Sequence, residues 1–149
     1  MMLARRPVLV ALLGLLGACG TVRDWRELRS GPMALGECYE SVAFIVQNSG
    51  FAADEAACDR GYGIWQSRWR MRHLGLGRPG RFRLRAEVLL DEGSVEKGWP
   101  VRFCVEQQKV KELRNSLEPR EDDWSNDGQH TELEELIADK LARRLAAKP

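Results

Sequence analysis

Residues 81–90 read RFRLRAEVLL and residues 100–110 read PVRFCVEQQKV. In the first stretch Phe82, Leu84, Ala86 and Val88 share one parity and Arg81, Arg83, Arg85 and Glu87 the other; in the second, Val101, Phe103 and Val105 alternate with Arg102, Cys104 and Glu106. Successive strand side chains point to opposite faces, so this alternation predicts two strands with one covered face and one wet face. Setting Val88 against Val101 and Ala86 against Phe103 brings the outward Glu87 to Arg102 and Arg83 to Glu106. The register that pairs the apolar residues therefore also pairs opposite charges, with the turn-like stretch 91–98 as the connection.

A third strand is predicted upstream, over 62–72, where Trp65, Trp69 and Met71 share one parity and Gln66, Arg68, Arg70 and Arg72 the other. The glycine-rich stretch 73–80, with Pro79, reads as a hairpin loop. A hairpin centred on it sets Arg68, Arg70 and Arg72 opposite Arg85, Arg83 and Arg81. Like charges directly opposed destabilise paired strands. Two readings follow: the arginines belong to a solvated charge lattice answered by neighbouring acids, or they form a surface for an anion or a partner, through bidentate guanidinium contacts.

The apolar side of such a sheet needs a cover. Thr131 with Glu134 forms a capping box, and Leu133, Leu136, Ile137, Leu141 and Leu145 then make one apolar stripe, with Lys140, Arg143 and Arg144 late, as the helix dipole favours. Leu35, Cys38, Tyr39, Val42, Ile45 and Val46 recur at helical spacing, and Asn48, Ser49 and Gly50 supply a stop, so a first helix is predicted over 33–48. Residues 111–130, with Pro119, an acidic run and Trp124, read as a long irregular connection. The fold class is thus α+β: a single two-layer domain over 33–147, helix, then three-stranded antiparallel meander, then C-terminal helix. This order resembles the helix-grip domains of a lipoprotein subunit of the outer-membrane β-barrel assembly machinery, in which a helix ending in glycine leads into a short sheet closed by a final helix.

At the N-terminus, Arg5 and Arg6 precede an apolar run over 8–16, the layout of an export signal. The run is too short to cross a bilayer, which takes roughly 20 apolar residues. Leu16, Gly17, Ala18 and Cys19 resemble the lipobox of bacterial lipoproteins. The resemblance implies removal of a signal peptide, 1–18, diacylglycerol on the Cys19 sulfur and acylation of the new amino group, with 19–32 as a lipidated tether. Acyl chains contribute about 0.8 kcal/mol per buried methylene, so the first partner implied is a membrane. Gly20 stands where an aspartate would resemble an inner-membrane retention signal, which favours the outer membrane facing the periplasm and leaves the inner membrane open. Cleavage leaves 21 basic and 22 acidic side chains, without the basic excess that nucleic-acid binding calls for.

Three cysteines remain beyond Cys19. Chain lengths allow a disulfide between Cys38 and Cys58, with free buried thiols as the alternative, and Cys104 falls on the polar strand face as an unpaired thiol. His73 and His130 read as surface residues, Glu118, Glu121, Asp122 and Asp123 as a solvated run, and Gly61 and Gly63 as strand-entry flexibility. Trp65 and Trp69 take core parity, a sugar platform being the other reading, and Trp99 and Trp124 near loops are candidate interface anchors. No spacing makes a metal site, a cofactor cradle or a nucleophile and base pair. The expected function is a non-enzymatic binding or scaffold module for an envelope component, or an anionic lipid or glycan-binding module using the arginine face.

Overall fold

The computed structural model describes residues 23–74 and 78–146, so the lipobox and part of the hairpin loop lie outside the described residues. Two helices, α1 (Leu35–Asn48) and α2 (Thr131–Leu145), accompany β1 (Arg26–Arg29), β2 (Ile64–Gln66), β3 (Arg70–Leu74), β4 (Arg78–Val88), β5 (Pro100–Val110) and β6 (Trp124–Gln129). The α+β class holds, with a six-stranded antiparallel sheet in place of a three-stranded meander.

The centre of the sheet is the β4–β5 ladder, in the register the alternation predicts: Val88 faces Val101, Ala86 faces Phe103, Glu87 faces Arg102 and Arg83 faces Glu106. Phe82, Leu84, Ala86, Val88, Val101, Phe103 and Val105 are buried on one face, against Cys38, Val42 and Val46 of α1 and Ile137, Leu141 and Leu145 of α2. Helix α1 ends as read: Gly50 adopts φ +89°, the left-handed conformation that stops a helix without a Cβ penalty.

Each outer edge of the ladder is shared by two short strands. On β5, β1 pairs with Pro100 to Phe103 and β6 with Glu106 to Val110. The tether reading of 19–32 therefore ends at Arg26, where the chain becomes a strand, and the irregular reading of 111–130 is corrected by β6. Polar β1 (RELR) and β6 (WSNDGQ) have little apolar alternation, because their stabilisation comes from the edge of β5 rather than from a buried face of their own. The chain after β1 is held by Gly98, whose added Cβ would lie 1.9 Å from the Ser30 carbonyl oxygen.

On β4, the 62–72 strand is broken in two. Gln66 faces Arg85 but Arg70 faces Phe82, so three residues on one side oppose two on the other, a bulge that reverses parity. Its cause is local: the Ser67 hydroxyl accepts the Leu84 N–H at 2.9 Å, and the Arg68 N–H donates to the Ala52 carbonyl. Trp65 is core as expected, but Trp69 passes to the opposite face and Met71 is exposed.

Helix α2 begins where predicted with a different cap. The His130 ring accepts the Leu133 N–H at 3.4 Å, and Glu134, instead of closing a capping box, is buried at 2 % exposure. Its carboxylate accepts from the Val105 N–H at 2.7 Å, from Gln129 Nε2 at 2.8 Å and from Arg26 Nε at 3.4 Å. Between β1 and β6, β5 has an N–H that neither edge strand takes, and Glu134 satisfies it. Deleting this carboxylate leaves the buried Val105 N–H without an acceptor, which is expected to cost roughly 1–3 kcal/mol. Glu134→Ala should lower the free energy of denaturant unfolding by that amount, and Glu134→Gln, which keeps an acceptor for Val105, by clearly less.

Candidate functional site

The second face of the sheet, away from the helices, carries the chemistry. Three glutamates organise five arginines on it. Glu106 on β5 accepts from Arg83 Nε on β4 at 2.7 Å and from Arg23 Nε. Glu87 accepts from Arg85 Nε at 2.9 Å and Arg102 Nε at 2.8 Å. Glu121, from the connection before β6, takes both terminal nitrogens of Arg81, one at 2.9 Å. Arg81 is only 6 % exposed: its guanidinium lies 4.4 Å from the Trp69 ring centroid and 4.5 Å from that of Trp124, and its Nε donates to Gln108 at 2.8 Å. Stacked and forked in this way, it uses the planar geometry that lysine lacks.

Much of the charge lattice is therefore realised, but the six-arginine surface is not. The bulge moves Arg70 onto the face of Phe82, where its guanidinium lies over that ring at 5.5 Å and donates to the Gly50 carbonyl. Arg72 faces Gly80, and Arg68 is exposed in the break between strands. Arg81, Arg83 and Arg85 keep the open face and are joined there by Arg102 and by Arg23, which precedes β1. Arg23 went unread because its place depends on an edge pairing that polar β1 does not announce.

Trp25 also stands on this face, with the guanidiniums of Arg102 at 4.8 Å and Arg23 at 5.8 Å from its ring. A pocket of about 140 Å³ is lined by Arg23, Trp69, Arg83, Glu106, Gln108 and Asn126 among others. The candidate anchors Trp99 and Trp124 are both buried rather than displayed: the indole of Trp99 donates to the Met33 carbonyl at 3.0 Å, and Trp124 closes over Arg81. The acidic run is not wholly solvent-directed, since Glu121 binds Arg81 and Asp123 accepts the Arg120 N–H and an Asn115 amide hydrogen. His130 is half-buried as the cap of α2, edge-on to Phe82, and His73 belongs to β3.

Cys38, Cys58 and Cys104 are all free thiols, against the expected Cys38 to Cys58 disulfide. Cys38 is in the core, while Cys58 Sγ caps the main chain of Gln66, at 3.3 Å from its oxygen and 3.4 Å from its nitrogen. Cys104 keeps the polar parity but is fully buried; continuing the β1–β5 register by one residue sets Trp25 against it. Burial pushes the Cys38 thiol up to about 11 and the Cys104 thiol up to about 12. Among the described residues no three His, Cys, Asp or Glu side chains converge on a metal-sized site. No protein-family model matches the chain, and no curated protein matches its sequence.

Burial alone would push the Glu106 and Glu87 carboxyls up, but hydrogen bonds from Arg83 and Arg23, and from Arg102 and Arg85, outweigh it and hold both below the usual carboxylate value. The hydrogen bond from Arg81 does the same for Glu121. A depressed folded-state pKa contributes stability that is present above the unfolded value, about 4.3 for glutamate, and is lost as pH falls through the folded value. Thermal stability should therefore hold from neutral pH to about pH 5 and fall below about pH 4, and Glu106→Gln should flatten that fall in acid melting curves. In a second measurement, maleimide labelling of the native protein at neutral pH should modify Cys58 well before Cys38 or Cys104, with all three reacting in denaturant.

Proposed function

We propose that the chain is a bacterial envelope lipoprotein, anchored through lipid on Cys19, whose α+β domain is a non-enzymatic binding or scaffold module for another envelope component, of an outer-membrane assembly or transport system. The observation that carries this reading is the sequence Leu16, Gly17, Ala18, Cys19 behind two arginines and an apolar run. Supporting it, the groups best suited to chemistry are already engaged: the carboxylates of Glu87, Glu106 and Glu121 accept from guanidiniums, and two of the three thiols are buried. Among the described residues no helix is long and apolar enough to cross a membrane, so membrane attachment in this reading rests on the lipid. The outer membrane, on its periplasmic side, is the proposed location.

A second reading, an anionic lipid or glycan-binding module, is favoured by Arg23, Arg83 and Arg85, each of which meets its carboxylate through Nε alone. Metabolic labelling with radioactive palmitate should mark the wild-type protein, and Cys19→Ala should abolish the label and release the protein from the membrane fraction. A photo-crosslinking residue at exposed Phe44 on α1, and separately at Arg102 on the open face, then distinguishes the two readings. One dominant protein adduct at either position supports the scaffold. Adducts confined to lipid or glycan, at position 102 only, favour the binding module.

A further inference from the structure

We propose that the open face of the sheet is the membrane-facing surface of the domain, with Arg23, Arg83 and Arg85 donating to the phosphates of the bilayer that holds the anchor and Trp25 at head-group depth. This rests on the reading of Cys19 as the lipidated residue. The first described residue, Arg23, already contacts the folded domain through Glu106, so only four peptide units separate it from Cys19. Four residues span at most about 14 Å, and Arg23 is therefore confined to the edge of the head-group layer. Register places its neighbours: Arg23 and Arg83 flank Glu106 from the two adjacent strands, and Arg85 stands two residues further along β4, about 7 Å away.

The guanidiniums are set for this. Arg23, Arg83 and Arg85 use Nε on carboxylates, and among the described residues their terminal nitrogens have no hydrogen-bond partner, although the Arg83 guanidinium lies 4.4 Å from the Trp69 ring centroid and that of Arg23 5.8 Å from that of Trp25. Each side chain so fixed still offers a two-pronged donor, the geometry that phosphate accepts. The face holds the carboxylates of Glu27, Glu87, Glu106 and Glu121 too, but the last three are engaged by arginines, so the unclaimed hydrogen-bonding capacity is predominantly that of donors. Trp25 is half-exposed beside Arg102. An indole with one apolar side and flanking cations suits the membrane interface, where tryptophan concentrates. The two helices are then directed away from the lipid, towards the compartment.

The test uses the full chain, expressed in a bacterial host, purified in its processed form and reconstituted into phosphatidylcholine vesicles containing a minor share of phosphatidylglycerol. Intact mass reports acylation, and quenching by lipids brominated near the glycerol end reports depth. The contribution of Trp25 is the quenching lost in Trp25→Phe. The expected result is acylated protein in which Trp25 is quenched several-fold more than buried Trp65 and Trp99, with the difference shrinking at high salt and in phosphatidylcholine alone. Arg83→Gln and Arg85→Gln together should reduce it by a comparable factor without changing the melting curve by more than a few degrees. Acylated protein whose Trp25 is unquenched would overturn the membrane seat while leaving the anchor standing. Protein that is not acylated would overturn the anchor reading and the proximity of Arg23 to lipid with it. Quenching that is insensitive to salt and to the arginine changes would mean contact imposed by the anchor alone, and would overturn the role given to the guanidiniums.

Discussion

The antiparallel ladder between β4 and β5, from Gly80 opposite Lys109 to Val88 opposite Val101, is the constraint on which the rest of the structure depends. Among the described residues it is the only pairing whose two strands both alternate cleanly, and one register satisfies both faces at once. A slip of one residue would turn the apolar side chains of whichever strand moved, Leu84 and Ala86 on β4 or Val101 and Phe103 on β5, to solvent, and would separate Arg83 from Glu106 and Glu87 from Arg102. Every other strand is short and takes its place by hydrogen bonding to one edge of this pair. Both helices cover its inner face because that face is where the apolar side chains point.

The open face obeys a different logic. It carries too many arginines to be covered by apolar elements, and it resolves them by lateral neutralisation, with carboxylates placed between guanidiniums on adjacent strands. Such exposed and half-exposed pairs contribute little each, on the order of 0–1 kcal/mol. Their effect is to hold guanidiniums in fixed orientations. Arg81 is the exception: enclosed by Trp69 and Trp124 and gripped by Glu121 and Gln108, it pins the connection before β6 to the sheet and behaves as a small polar core on the outer side.

How much of this could be read from the residues follows from where each element draws its stability. Both helices and the β4–β5 register were legible, because their own periodicity records a buried face. Strands β1 and β6 were not, since RELR and WSNDGQ are held by backbone bonds to β5 and bury little of themselves. The arginine surface was half legible. Arg81, Arg83 and Arg85 follow from parity, but assigning Arg68, Arg70 and Arg72 to the same face assumed an unbroken hairpin. The Ser67 hydroxyl, by taking a main-chain N–H from Leu84, introduces a bulge that no alternation count can reveal. Glu134 misled for a related reason: its spacing from Thr131 matches a capping box, while the stronger demand on it came from the unpaired N–H of Val105 on another element.

That N–H also marks where the first described residues are joined to the core. Where β1 gives way to β6 along β5, three groups meet: Gln129 holds the backbone of Asp24 through both its amide oxygen and nitrogen, the same nitrogen donates to Glu134, and Glu134 closes the gap at Val105. The backbone at Asp24 is thus tied, through Gln129, to a buried carboxylate that joins α2 to the central strand. Under the proposed lipid attachment at Cys19, four peptide units before Arg23, these contacts would keep Arg23 and Trp25 nearer the lipid than the helices on the opposite side of the sheet.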